Sequence, residues 1–217
     1  MRHACLVVAS ALAVIVAALP GVARSHPHVF VSVDAEVQYD AQGQMTGVQH
    51  SWSFDEMYSA SAVLGLDKNG DGAYDRAELQ ELAQINVESL KEFDYFTFMT
   101  IEGEPVTFTA PVDYYVEADA QGLLTLTFTL PMQAPVKHGS LKVDLSIYDP
   151  SFFIAFSFAE KNPVRLASSA PVGCEISVRR PNQEQANTQL TEDMFAGEVT
   201  VDYGSSFADT AEIRCGQ

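Results

Sequence analysis

Basic residues are scarce in this chain. Twelve Lys and Arg stand against 29 Asp and Glu, for a net charge of −17. Nucleic acid and anionic bilayers repel such a surface, so neither is expected as a partner. Cysteine is scarce too, with 3 in 217 residues. None falls in a Cys-x-x-Cys pair, which removes the common thiolate zinc motifs. Beyond residue 19 no apolar run approaches the roughly 20 residues of a membrane-spanning helix. No Ser/His/Asp or Cys/His nucleophile set stands out, so no enzyme is expected. No internal repeat is visible.

What the chain does have begins at its start. Met1-Arg2-His3 is basic, Ala4 to Leu19 is an uncharged apolar run, Pro20 breaks it, and Gly21, Ala23 and Ser25 are small. Basic end, apolar middle and small-residue cleavage site are the order of a secretory signal, so residues 1–25 are expected to be removed and the protein to reach the periplasm. Loss of Arg2 and Arg24 takes the net charge to about −19. Such a surface suits a protein that handles cations. Cys174 and Cys215 survive cleavage, and an even count in an oxidising compartment predicts a disulfide that ties the C-terminal tail back to a strand.

The mature part reads mostly as strands. Val29, Val31, Val33, Ala35, Val37 and Tyr39 alternate with polar residues, as in a strand with one buried face. Asp40-Ala41-Gln42-Gly43 turns, and Val48, His50, Trp52 and Phe54 share one face of a second strand. Similar alternation returns between Tyr95 and Val178, and the run Phe152 to Phe158, apolar on both faces, predicts a central strand. Between these blocks the period changes. Ser53-x-x-Glu56 has capping-box spacing, predicting a helix over 54–66. Leu79, Leu82, Ala83, Leu90 and Phe93 form one stripe of a second helix over 75–93. The expected fold is a mainly β, antiparallel sandwich-like domain over 26–180, with an EF-hand helical hairpin inserted at 54–93 and a tail over 181–217.

Between the two expected helices lies Asp67-Lys68-Asn69-Gly70-Asp71-Gly72-Ala73-Tyr74-Asp75-Arg76-Ala77-Glu78. It fills every essential position of the EF-hand pattern. Calcium is a hard cation that takes six to eight oxygens. Asp67, Asn69 and Asp71 offer side-chain oxygens on alternate residues, and Gly72 permits the sharp bend. Ala73 would give its carbonyl, Asp75 would act directly or through water, and Glu78 would close the sphere with both oxygens. No second loop accompanies it, which favours a structural ion over a switch.

Histidines crowd the mature N-terminus. Cleavage after Ser25, the preferred reading, makes His26 residue one. Its amine and ring nitrogen then chelate one metal, and His28 or His50 adds an imidazole. Pro27 has no N–H, so a site of successive deprotonated amides is excluded there. Cleavage after Ala23 instead leaves Arg24-Ser25-His26, a square-planar nitrogen set suited to Cu2+ or Ni2+. His50 shares a face with Trp52 and reads more readily as a hydrogen-bonded histidine at the core edge. His138, beside Gly139 in a loop, is expected in solvent.

Five segments carry a resemblance: His26-Pro27-His28-Val29-Phe30-Val31, Trp52-Ser53-Phe54-Asp55-Glu56, Gly65-Leu66-Asp67-Lys68-Asn69-Gly70-Asp71-Gly72, Phe93-Asp94-Tyr95-Phe96-Thr97 and Tyr148-Asp149-Pro150-Ser151-Phe152-Phe153-Ile154-Ala155-Phe156. From His26 to about Arg180 the chain resembles a bacterial family of exported proteins that share a domain of unknown function (DUF1007-like). The resemblance implies a periplasmic component of an ABC-type transport system, paired with nickel/cobalt-type permeases of the inner membrane. The expected function is then a metal-binding accessory that captures Ni2+, Co2+, Zn2+ or Cu2+ at His26 and His28 and passes it to a permease, with Ca2+ stabilising the helical arm. The alternative is a calcium-stabilised adaptor that docks another protein, its histidines incidental. A copper oxidative enzyme using the histidine brace is a third and lesser reading.

Overall fold

The structure, a computed structural model, describes residues 27–182, 202 and 204–216. The expected signal segment, His26 and most of the polar stretch after Arg180 therefore lie outside the described residues. The protein is mainly β, with two sheets.

The chain opens as the alternation demands. In β1 (Val29–Tyr39), Val31, Val33, Ala35, Val37 and Tyr39 all turn inward. The Asp40–Gly43 turn is held by the Asp40 carboxylate, which accepts the backbone N–H groups of Gln42 and Gln44 at 2.9 Å each. It returns the chain as β2 (Gln44–Phe54), antiparallel to β1. Gly47 sits at a register shift in β2, where a Cβ would lie 2.6 Å from the Leu130 carbonyl oxygen. β5 (Val112–Ala118) and β6 (Leu124–Lys137) extend this sheet on the β2 side and β8 (Ile154–Phe158) on the β1 side, in the order β5-β6-β2-β1-β8. The second sheet runs β10-β11-β7-β3-β4, built from β3 (Thr97–Ile101), β4 (Glu104–Pro105), β7 (Val143–Ile147), β10 (Cys174–Arg179) and β11 (Thr210–Cys215). Val33, Val48, Trp52, Leu126 and Phe128 from the first sheet, and Met99, Leu145, Ile147 and Ile213 from the second, belong to one buried cluster. Removing these side chains from water supplies most of the drive to fold, about 1.5–3 kcal/mol each.

Three expectations require correction. The run expected as a central strand is β8 (Ile154–Phe158), which lies at the sheet edge and parallel to β1. β9 (Val164–Leu166) continues along the same side of β1, also parallel. An apolar run records burial, not a strand's neighbours, so edge and centre were indistinguishable in sequence. The tail, expected outside the β domain and tied back to a strand by a disulfide, has that disulfide but also supplies β11, which lies between β10 and β7 inside the second sheet.

The helical arm between β2 and β3 is the third correction. Its helices are shorter than expected: α1 (Glu56–Ala62) and α2 (Gln80–Leu90). Four residues separate the end of α1 from Asp67 and α2 begins after Glu78, so the expected pair of helices continuous with the loop is not formed. Asp55, not Ser53, caps α1: its Oδ1 accepts the Tyr58 N–H at 2.9 Å and its Oδ2 accepts the Phe30 N–H at 2.8 Å. Ser53 remains in the ladder, with its hydroxyl 2.9 Å from that of Thr125. α2 buries Ala83 and Leu90 as its stripe predicts, and Val87, which the stripe omitted, but Phe93 is exposed. The helix gives way to a 3-10 turn in which Asp94, Tyr95 and Phe96 take φ of 50°, 55° and 48°. Such a left-handed run of non-glycine residues is costly and ends any right-handed helix. No described helix is long and apolar enough to cross a membrane.

Candidate metal centre

The loop Asp67–Glu78 is organised around its own carboxylates. Asp67 accepts the N–H of Gly70 through Oδ1 (2.7 Å) and of Gly72 through Oδ2 (3.0 Å). Asn69 accepts from Asp71, and Asp71 from Ala73, both at 2.8 Å. Asp75 accepts from Ala77 at 2.8 Å and Glu78 at 2.9 Å. Glu78 reaches back across the loop: Oε1 takes the Lys68 N–H at 2.8 Å and Oε2 the Asp75 N–H at 3.2 Å. Gly70 and Gly72 hold φ of 75° and 80°, which glycine adopts without steric cost.

Charge is the telling feature. Asp67, Asp71, Asp75 and Glu78 gather in twelve residues, and Glu78 is only 7% exposed. Among the described residues none of the four takes part in an ion pair. The loop's own arginine turns away: Arg76 pairs with Glu117 of β5 at 2.6 Å and lies 3.8 Å over the Tyr115 ring. Carboxylates drawn together without a cationic side chain fit a hard divalent ion, and the donor set suits Ca2+. Tyr74 and Leu66 pack against the core, fixing the loop to the sandwich.

The histidines separate. His28 is exposed just before β1, its ring 4.7 Å from that of Phe153 and its N–H bonded to the Phe153 carbonyl at 2.9 Å. His50 pairs in register with Ala35, seven residues further along β1, or roughly 23 Å at strand rise. The structure does not bring it to His28. His50 is fully buried, edge-on to Trp52 and stacked on Phe128. Burial pushes its pKa down to about 3, so the ring is neutral. The Thr97 hydroxyl donates to the Tyr95 carbonyl at 2.8 Å, leaving its oxygen to accept the His50 Nε2–H at 3.4 Å. That assigns the tautomer. His50 Nδ1 and Trp52 Nε1 are buried without a hydrogen-bond partner among the described residues.

His138 is the residue that sequence reasoning misplaced. It is fully buried, not in solvent. Its Nδ1 lies 2.8 Å from the Tyr39 hydroxyl and 3.3 Å from Cys215 Sγ, and its Nε2 lies 3.1 Å from the Leu141 carbonyl. Cys215 is bonded to Cys174, its direct partner across the β10–β11 ladder. The cysteine count foretold the disulfide. Nothing local in the sequence placed His138 against it.

Comparison with known proteins gives relatives and no activity. A Haemophilus influenzae relative bearing the name "Uncharacterized protein" is 24% identical over 196 residues, covering 88% of this chain and 91% of the relative. A Spirochaeta aurantia relative, "Uncharacterized 15.5 kDa protein in trpE 3'region", is 28% identical over 104 residues, covering 48% of this chain and 73% of its own. Among solved structures, acetylcholine-binding protein type 1 of Biomphalaria glabrata aligns over 95% of this chain and 96% of its own, at 11% identity and a TM-score of 0.41. The family model described as "Protein of unknown function (DUF1007)" matches residues 11–215, nearly the whole length, and the chain belongs to that family.

Proposed function

We propose that this protein is an exported, calcium-stabilised metal-binding accessory that presents a divalent transition metal ion (Ni2+, Co2+, Zn2+ or Cu2+) to an inner-membrane permease, and that it performs no catalysis. The observation that carries the reading is the Asp67–Glu78 loop, with four carboxylates, one nearly buried, and no ion pair to any of them among the described residues. An EF-hand-type Ca2+ held by Asp67, Asn69, Asp71, Ala73, Asp75 and Glu78 would offset half of that charge and tie the arm to the sandwich. The surplus of acid would concentrate cations near the surface. His28 is exposed just before β1, and in this reading His26, which lies outside the described residues, would share a transition-metal site with it. His50 has no part in that site.

A second reading has one observation in its favour. Met57, Leu64 and Ile85 are exposed apolar residues of the helical arm. They would suit an adaptor whose arm docks another protein.

Two titrations of the exported protein, its first residue fixed by intact mass, separate the readings. The accessory requires a calorimetric heat and a rise in Tm with millimolar Ca2+. It also requires binding of Ni2+, Co2+, Zn2+ or Cu2+ that disappears in the His26→Ala/His28→Ala double variant. Retention of full transition-metal affinity in that variant rejects the N-terminal site.

A further inference from the structure

The second sheet ends in a cluster with its own chemistry. Cys174 and Cys215 oppose one another on β10 and β11, and the next backbone bond, Gly216 N–H to the Gly173 carbonyl at 3.0 Å, closes the ladder behind them. Across from the sulfurs stands His138, on the segment between β6 and β7. One ligand atom from each of these three residues lies within 4.8 Å of the others. His138 and Cys215 are buried and Cys174 is half-buried, so solvent reaches the cluster from the Cys174 side.

We propose that reduction of the Cys174–Cys215 disulfide opens a thiolate–imidazole site for Zn2+, with Cys174 Sγ, Cys215 Sγ and His138 Nδ1 as its three protein ligands. The spacing already fits. Tetrahedral zinc, with bonds of about 2.3 Å to sulfur and about 2.0–2.1 Å to nitrogen, sets its S and N ligands about 3.5 Å apart. Cys215 Sγ and His138 Nδ1 stand 3.3 Å apart. The imidazole is oriented as a ligand needs it. Nε2, 3.1 Å from the Leu141 carbonyl, donates its proton there, leaving the Nδ1 lone pair facing the sulfurs. A ligating histidine commonly gives its other N–H to a backbone carbonyl in this way. The Tyr39 hydroxyl, 2.8 Å from Nδ1, fills that lone pair while the disulfide is closed. The antiparallel ladder keeps the two sulfurs opposed after their bond is cut, and β10 is an edge strand that can yield the added separation.

The chemistry balances with a dithiol as reductant. Its thiolate attacks Cys174 Sγ, the accessible sulfur, and Cys215 leaves as a thiolate beside His138. The second thiol of the reductant then displaces Cys174 and closes the reductant's own disulfide. Two electrons pass to the protein, and two thiols or thiolates result. Zn2+ takes both as thiolates, any remaining thiol protons pass to solvent, and the buried site is neutral. Three protein ligands leave the fourth position open, as in zinc sites that exchange a ligand. Exchange with a disulfide oxidant, which takes the two electrons and leaves as its dithiol, would re-form the Cys174–Cys215 bond and expel the ion. The site is separate from both the Asp67–Glu78 loop and the N-terminal histidines.

The test compares oxidised and phosphine-reduced forms of the exported chain, without oxygen and in saturating Ca2+. Thiol counting confirms two free thiols, circular dichroism confirms the fold, and Zn2+ affinity is measured against a chromophoric chelator. The N-terminal histidines are common to both forms, so the difference isolates the new site. The expected result is one additional Zn2+ per chain on reduction, bound at least about 100-fold more tightly than by the oxidised form. Co2+ in its place should show sulfur-to-metal charge transfer and the intense visible bands of tetrahedral coordination. His138→Gln, which keeps both thiols, should lose about tenfold or more in affinity, and Cys174→Ser, which leaves one thiolate, should cut the Co2+ charge-transfer intensity at least by about half. Equal Zn2+ affinity in the two redox forms overturns the proposal. So do an unaffected His138→Gln variant and a wild-type chain that unfolds on reduction.

Discussion

Glu78 concentrates the loop's electrostatics in one side chain. It spans the loop by accepting the N–H groups of Lys68 and Asp75 on separate oxygens, and it is the least exposed of the four loop carboxylates. Glu78→Gln keeps its shape and one carbonyl acceptor but removes the charge and the two-oxygen grip. Since EF-hand affinity follows ligand charge, Ca2+ affinity should fall at least about tenfold by calorimetry while the apo protein stays folded. Unchanged affinity would show that the ion binds elsewhere. His50 makes a different residue-scale prediction. Its folded pKa of about 3 lies below the ordinary 6.5 because burial disfavours the charged ring. Between those two pH values the unfolded chain binds a proton that the folded chain refuses. The stability tied to neutral His50 is therefore whole above about pH 6.5 and drains away as pH falls toward 3. His50→Leu should flatten the acid limb of urea-unfolding stability by up to about 1.4 kcal/mol per pH unit. Parallel acid limbs in the two proteins would reject this account.

Elements were legible where their signal is local. The alternation in β1 and β2 and the Asp40–Gly43 turn name a hairpin, and the structure forms it. Asp67–Glu78 was legible as a loop between helices, because Gly70 and Gly72 mark its turns, and both glycines take positive φ. The parallel pairing of β1 with β8 and β9 was not, since strand partners more than a hundred residues apart leave no mark in either segment. The helical arm was half legible. Its apolar stripe is real over Ala83 to Leu90, but the left-handed Asp94–Phe96 turn cuts it short, and no residue there is a glycine that would announce it. Nor did the sequence explain Gly47, an isolated glycine in a strand. The reason is tertiary: an added Cβ would meet the Leu130 carbonyl at 2.6 Å and Pro131 Cα at 3.0 Å, both backbone. Neither can move without shifting β6, the central neighbour of β2 and β5. Gly47→Ala should cost about 1–3 kcal/mol, seen as a lower urea midpoint at unchanged slope. A midpoint equal to wild type would mean that the β2–β6 spacing is looser than described.

At the scale of the molecule the chain closes on itself late. β11 comes from the last residues, yet it separates β10 from β7, so the second sheet cannot complete before the C-terminus arrives. This long-range closure explains why the site around His138 escaped sequence reasoning. Tyr39 ends β1, His138 follows β6 and Cys215 ends β11, and only the finished sandwich brings them together. It also assigns the disulfide a structural role, whatever its redox chemistry. Cys174 and Cys215 are separated by 41 positions, and closing such a loop in the unfolded chain removes entropy worth about 4 kcal/mol in the chain-entropy model. Domains are stable by only about 5–15 kcal/mol, so a loss of that size is easily read without abolishing the fold. The Cys174→Ala/Cys215→Ala double variant should therefore unfold cooperatively at a clearly lower urea midpoint, by about 2–4 kcal/mol. Reduced wild type without added metal should match it, because both lack the same cross-link. If the double variant were as stable as the oxidised protein, the ladders of β11 to β10 and β7 and the packing of Ala211 and Ile213 would hold the strand unaided, and the cross-link would contribute nothing to closing the second sheet.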